Sequence, residues 1–369
     1  MNFPTKYSEI IARIESIDPI KYGETRNYLE GAVTYLSPYI SRGVISTKMV
    51  LDKILAKGYQ LEEIESFVKE LAWRDYFQRL AQVRNLEQDI KFPQVDVAHH
   101  EIPLAVINAQ TGIQAVDDAI EQLYAHGYMH NHLRMYTAAL VTNIAKSHWL
   151  LPSKWMYYYL LDADFASNRC SWQWVCGANS NKKYVANQEN VNRFAGTQQH
   201  GTFLDKPYEY LPPTKIPQEL LETVEIRLET QLPNAEKIQI DATLPTFLYN
   251  FYNVDPNWHF GEAGNRILLL DPAFFKEHPV HTTVIQFVLE LAKNVSNIQL
   301  FVGSFQELKE TYTLNSIYFK EHPLNIGYSG IEESRDWISP EITGYFPSFF
   351  AYWKSLKKEL MKIYQTYDH

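Results

Sequence analysis

Residues 62–84 read EEIESFVKELAWRDYFQRLAQVR, and their apolar side chains recur at the three- and four-residue spacing of one helix. On a wheel of about 100° per residue, Phe67, Leu71, Trp73, Phe77, Leu80 and Ala81 fall within about 100° on either side of Glu70. Arg74 falls about 40° away, so Glu70 and Arg74 are expected inside the apolar arc. A buried i,i+4 ion pair would satisfy both groups, and so would a bound polar ligand. Burying either charge without a partner costs ~3–5 kcal/mol.

Helical periodicity continues outward from this stretch. It covers Gly112 to Tyr124 and Met129 to Ile144, with little strand-like alternation before residue 205. Pro207, Pro212, Pro213 and Pro217 then mark an irregular connector. Beyond it the pattern changes. Lys237–Asp241, Arg266–Asp271, Ile298–Gly303 and Ser316–Lys320 look like short strands, and helices are expected over His281–Val295 and Ser348–Tyr367. That order predicts a mainly α protein: a helical domain over 1–205, a connector over 206–235, and a smaller α/β domain with a mostly parallel sheet over 236–369. No GxGxxG loop follows Asp271, so no dinucleotide fingerprint is present there.

Composition narrows the function classes. Two cysteines, Cys170 and Cys176, are too few for a four-cysteine iron–sulfur cluster or a disulfide framework. Reduced thiols and a start without a basic, then apolar, leader point to a cytoplasmic protein. The apolar run Thr137–Leu161 is interrupted by Lys146, His148, Pro152 and Lys154, which argues against a membrane span. The net charge of −9 lies mostly beyond residue 205, so a nucleic-acid contact would need a local basic patch on the first part. His126, His130 and His132 do not complete a metal shell, because the third lies off the shared helix face and no nearby Cys, Asp or Glu set completes it; no metal is expected.

Six strings carry a stronger signal together than singly. They are Tyr22-Gly-Glu-Thr-Arg-Asn27, Thr34-Tyr-Leu-Ser37-Pro-Tyr-Ile, Glu70-Leu-Ala-Trp73-Arg74, Gly127-Tyr-Met-His-Asn-His-Leu-Arg-Met135, Leu161-Asp-Ala-Asp-Phe-Ala-Ser-Asn168 and Ser171-Trp-Gln-Trp174. In order and spacing they resemble the FAD-binding domain of the photolyase/cryptochrome family from about Tyr22 to Trp174, and less well to Asp205.

The resemblance implies FAD as cofactor. Thr34, Leu36 and Ser37 would hold its pyrophosphate at a helix start, where free N–H groups suit an anion; a plain Ser/Thr cap before Pro38 is the alternative. Tyr22 and Arg74 would also touch FAD, Arg134 would pair with Asp162 beside the ring system, and Asp164 would meet its ribityl and pyrimidine side. Asn168 matches the position facing flavin N5. Glu70, Trp73, Asn131, Met135 and Trp174 match positions that contact a cyclobutane pyrimidine dimer, and Trp172 and Trp149 match the inner two tryptophans of an electron relay. Glu70, Asn168, Trp172 and Trp149 are therefore the expected catalytic group.

The implied activity is blue-light-driven repair of such dimers in damaged DNA, preferably single-stranded. The alternatives are a cryptochrome-type photoreceptor without repair, whose C-terminal domain meets a protein partner, and a light-independent flavoprotein using the same pocket. The sequence departs from the family pattern in three places. No tryptophan stands near Asp96, where the outer relay member is expected. His132 replaces an arginine expected to meet DNA phosphate; Lys182, Lys183 and Arg193 are candidate substitutes, with plain solvated surface the favoured reading for each. The flavin motifs begin almost at once, so the usual N-terminal antenna domain is not expected ahead of them.

Overall fold

The computed structural model describes residues 2–234 and 237–365. In chain order it contains helices α1 (Tyr7–Glu15), α2 (Pro19–Thr25), α3 (Ser37–Ser41), α4 (Thr47–Leu55) and α5 (Glu65–Ala81). Strand β1 (Ile102–Pro103) and helices α6 (Leu104–Ile107), α7 (Gln114–His126), α8 (Asn131–Ala139), α9 (Leu150–Tyr159), α10 (Phe165–Cys176) and α11 (Gln188–Ala195) follow, then β2 (Thr223–Val224). The remainder is β3 (Pro245–Tyr249), β4 (Asn265–Leu270), α12 (Pro272–Glu277), α13 (Thr282–Ala292), β5 (Ile298–Val302), α14 (Phe305–Thr311), β6 (Asn315–Lys320), β7 (Ile331–Glu333) and α15 (Phe349–Gln365). A mainly helical part followed by a parallel α/β part is the class the sequence led us to expect. Among the described residues no helix is long and apolar enough to cross a membrane.

Contacts gather the chain into two units. One holds Glu24–Val33 and Arg84–Leu228; the other holds Phe3–Gly23, Thr34–Val83 and the chain from Glu229 onward. In the first, Trp149, Trp155, Leu133 and Ile120 belong to one buried cluster built from α7 to α10. The expected helix over Met129–Ile144 is α8 continued by a wider turn over Leu140–Ile144, in which the Ala145 N–H reaches back five residues to the Leu140 carbonyl at 2.9 Å. Part of the proline-rich connector is ordered against this unit: β2 pairs antiparallel with β1, and Leu220 is fully buried.

In the second unit the five-stranded sheet runs β5-β4-β3-β6-β7 with every pairing parallel. The run Asn265–Leu270 is buried at all six positions, as a strand covered on both faces requires. Helix α13 begins one residue inside the expected His281 start, with the His281 side chain accepting from the Thr283 N–H. Helix α15 fills the expected last helix, whose residues 366 and 367 lie outside the described residues.

The expected strand at Lys237–Asp241 does not form. Its backbone is held by side-chain amides instead. Gln239 N–H donates to Gln299 Oε1 at 2.7 Å, and Gln299 Nε2 donates back to the Gln239 carbonyl at 2.8 Å. Asn265 does the same for Asp241, at 2.9 Å both ways. Ile238 still buries its side chain in the sheet's core cluster with Leu248, Ile267 and Leu269, so the apolar pattern was real while the ladder was not.

Candidate functional site

In the first unit a glycine turn sets up the ion pair implied by the resemblance. Gly127 ends α7 at φ +64°, and its carbonyl accepts from the Leu161 N–H at 2.8 Å. A Cβ at Gly127 would meet Leu161 Cγ at 2.7 Å, so only glycine allows this approach. The contact brings the start of α8 beside the loop before α10. There Arg134 Nη1 donates to Asp162 Oδ2 at 2.9 Å, while its Nε donates to the Met129 carbonyl at 2.8 Å. Asp162 is buried.

Helix α10 presents the next two groups. Asp164 is its N-cap, accepting from the Ser167 N–H at 2.7 Å. Asn168, one turn on, accepts on Oδ1 from Arg169 Nη1 at 2.8 Å, which leaves its amide nitrogen as the donor end. Arg169 is 1% exposed and also reaches Glu87 at 3.3 Å, with Lys154 on the same carboxylate. Sequence reasoning missed Arg169 and Glu87. The signal available was the arginine directly after Asn168; its partner lies 82 residues away.

The tryptophans of α10 face opposite ways. Trp172 is 2% exposed and belongs to the same core cluster as the fully buried Trp149, whereas Trp174 is 41% exposed beside Tyr184, centroids 5.8 Å apart. Trp149 Nε1 donates to Asp89 at 2.7 Å, and its neighbour His148 stacks on His100 at 4.8 Å. A histidine pair thus stands next to Trp149. Asp96, by which the outer tryptophan was expected, is exposed and ion-paired with Lys183 at 2.8 Å. On α8, Asn131 is exposed and Met135 half-buried, four residues apart on one face.

His132 departs from expectation. It does not stand on the surface in place of a phosphate-binding arginine: it is buried, with Nδ1 3.0 Å from the Asn27 carbonyl and its ring against Tyr136 and Phe194. Burial holds its pKa below the ordinary histidine value. Burial pushes His130, whose Nδ1 accepts from the His132 N–H, down to about 4, so both rings are neutral near pH 7.

In the second unit, α3 opens at Leu36, which has no side chain able to cap it, and Pro38 follows in the first turn. A plain Ser/Thr cap is therefore not what this segment forms; Thr34 Oγ1 instead accepts from the Leu36 N–H at 3.4 Å, and Ser37 is half-buried. Such an opening suits a phosphate. Tyr22 packs edge-on against Phe67 at 5.2 Å.

Glu70 and Arg74 of α5 are half-buried rather than enclosed. The charged residues this helix does bury are Asp75 and Arg79. Asp75 accepts from Thr47 Oγ1 at 2.7 Å and from the Ile338 N–H at 2.9 Å; desolvation pushes its pKa up. The Arg79 guanidinium lies 3.6 Å from the centre of the Trp337 ring. Helix α5 is covered on two sides, so its buried arc is wider than the wheel implied. Trp73 is half-buried and stacked on Phe349 at 3.7 Å.

Each unit by itself offers group types that a flavin nucleotide takes: the first a half-buried guanidinium on a buried carboxylate and an amide donor, the second a helix start without a side-chain cap. Comparison with known proteins agrees. Residues 67–245 match the family model described as the FAD binding domain of DNA photolyase. A deoxyribodipyrimidine photo-lyase of Alkalihalophilus pseudofirmus is 34% identical over 148 residues, covering 38% of this chain and 30% of that protein. Cryptochrome DASH of Danio rerio is 28% identical over 205 residues, covering 52% of this chain and 37% of that protein. A crystal structure of a class III photolyase from Agrobacterium tumefaciens aligns with TM-score 0.43 at 26% identity, over 52% of this chain and 42% of its own. The chain spans about a third of the length of the two curated relatives. Residues 67–245 thus carry an FAD-binding domain of the photolyase/cryptochrome family.

Proposed function

We propose that the protein is a blue-light-driven photolyase acting on cyclobutane pyrimidine dimers in DNA, preferably single-stranded. One observation carries this reading: the side chains matching the dimer-contacting positions are all accessible. Asn131 and Trp174 are exposed, and Glu70, Trp73 and Met135 are half-buried. Trp172 and Trp149, which match relay positions, are buried instead. Residues 1–205 are the cofactor-binding domain in this reading, 206–235 the connector and 236–369 a further α/β domain.

Bound FAD would supply light absorption and one-electron chemistry. Arg134 and Asp162, with Asp164, Arg74 and Tyr22, would hold it; Thr34, Leu36 and Ser37 would take its phosphates; the Asn168 amide would donate to the ring. Glu70 would hydrogen-bond the dimer where negative charge develops during ring opening. Trp73 and Trp174 would stack on the extruded bases, at ~1–3 kcal/mol per base. Trp172 and Trp149 form the buried aromatic route.

A photoreceptor without repair is the second reading, in which the C-terminal domain meets a protein partner. The Trp73–Phe349 stack, which takes one face of a proposed substrate ring, favours it. Illuminating reduced, FAD-loaded protein with a dimer-containing oligonucleotide separates the two. Recovery of intact thymines supports repair, and FAD-loaded protein that restores none supports the photoreceptor.

A further inference from the structure

The sheet of the second unit reverses direction at one place. From β3 the chain builds outward through β4 and β5, then crosses back to β3's other side as β6. In open parallel sheets, ligands gather outside the carboxyl ends of the strands where the order reverses. At that position the loops leaving β3 and β6 wall a cleft with a cavity volume of about 60 Å³, lined by Asn253 after β3 and by Lys320 and His322 after β6. Gly43, at φ +68°, lets the turn after α3 close against the same loop; a Cβ there would stand 2.6 Å from the Tyr252 carbonyl.

Hydrogen bonding in the cleft is unbalanced toward donors. His322 Nδ1 accepts from the Leu324 N–H at 3.2 Å, so the neutral ring carries its proton on Nε2. That Nε2 and the Asn253 amide nitrogen are buried with no acceptor among the described residues, and Asn253 is 4% exposed. The lining carboxylates are already engaged. Asp255 takes Lys320 at 2.7 Å, Glu321 takes the Trp337 indole and the Arg335 N–H, and Asp336 takes the Ser46 hydroxyl. Lys320 and Arg335 offset two of these three carboxylates. Buried donors normally find acceptors, so the group missing here is an acceptor.

We propose that this cleft, which meets the flavin motifs only at Ile40, is a second binding site for the phosphate or carboxylate end of a small molecule. Asn253 and His322 supply the directed hydrogen bonds and Arg335 the charge, Lys320 being shared with Asp255. The size of the cavity suits one such group, with the rest of the molecule extending outward.

The test is calorimetric titration of the full-length, FAD-loaded protein with inorganic phosphate and, separately, with succinate. Saturable binding of phosphate alone assigns a phosphate ligand, of succinate alone a carboxylate, and of both in competition the shared chemistry; each supports the site. Asn253→Asp, which exchanges a donor for an acceptor, and Arg335→Gln should each weaken binding about ten-fold at unchanged FAD content. Hydrogen exchange of the unaltered protein gives a readout independent of how the variants fold: ligand should slow exchange over residues 320–324. Binding of neither probe, binding unchanged in folded variants, or binding without that protection would overturn the proposal.

Discussion

The Trp73 indole lies flat against the Phe349 ring, centroids 3.7 Å apart and planes 9° from parallel. Phe349 opens α15, and Trp353, one turn further, continues the stack at 6.4 Å. Lys357 of the same helix pairs with Glu65 at 2.5 Å, and Tyr352 packs against Tyr76. The last helix thus fixes the ring proposed to receive a base and leaves it one face.

Phe349→Ala should therefore lower stability by ~3–5 kcal/mol, the usual cost of emptying a buried phenylalanine site, and shift Trp73 emission to the red. Denaturant titration followed by tryptophan fluorescence measures both. Unchanged stability and emission would show that the stack does not form in solution.

His132→Arg tests the placement of His132. The sequence alone suggested that arginine would restore a phosphate contact, but the ring is enclosed by Tyr136 and Phe194. The expected result is a loss of roughly 1–3 kcal/mol or more from overpacking and a buried charge, without tighter DNA binding. Unaltered stability with stronger, salt-sensitive DNA binding would place this side chain at the surface.

What was legible in the sequence follows from where the determinants lie. Helix α5 and the strands β4 to β6 announce themselves through local periodicity, and the flavin motifs are contiguous strings. The burial of Asp75 and Arg79 depends on a segment some 260 residues away, as the Asp75–Ile338 hydrogen bond shows, and no local pattern encodes it. The switch-point cleft depends on strand order, which no single stretch carries. The failed strand at Lys237–Asp241 had the right apolar spacing, yet Gln299 and Asn265 took its backbone groups.

His130 gives the fold a pH dependence. Its folded pKa, depressed to about 4 chiefly by burial, lies below the unfolded value near 6.5. Between these values the unfolded chain binds the extra proton, so stability rises with pH across that window and is lost as pH falls from about 6.5 toward 4. His130→Asn, which keeps a capping side chain, should reduce the slope of the stability profile between pH 6.5 and 4, the buried His132 keeping part of it. A variant with the unaltered slope would assign the dependence to other groups.

Trp172→Phe should largely abolish photoreduction of bound FAD by an external reductant, because it removes the redox-active ring at the proposed inner relay position. Trp149→Phe should act likewise. Repair by chemically pre-reduced protein should persist in both, which separates the relay from the substrate site. Photoreduction at the rate of the unaltered protein would mean that electrons enter elsewhere.

If Arg134 and Asp162 hold the flavin as proposed, cofactor content reports it. The full-length protein, reconstituted with excess FAD, desalted and denatured, should release about one FAD per chain. Arg134→Ala should release far less, because Asp162 is left buried without its cation, at a cost of ~3–5 kcal/mol. No flavin from the reconstituted protein would contradict the account, and full, equally tight FAD binding by folded Arg134→Ala would contradict the place given to the pair.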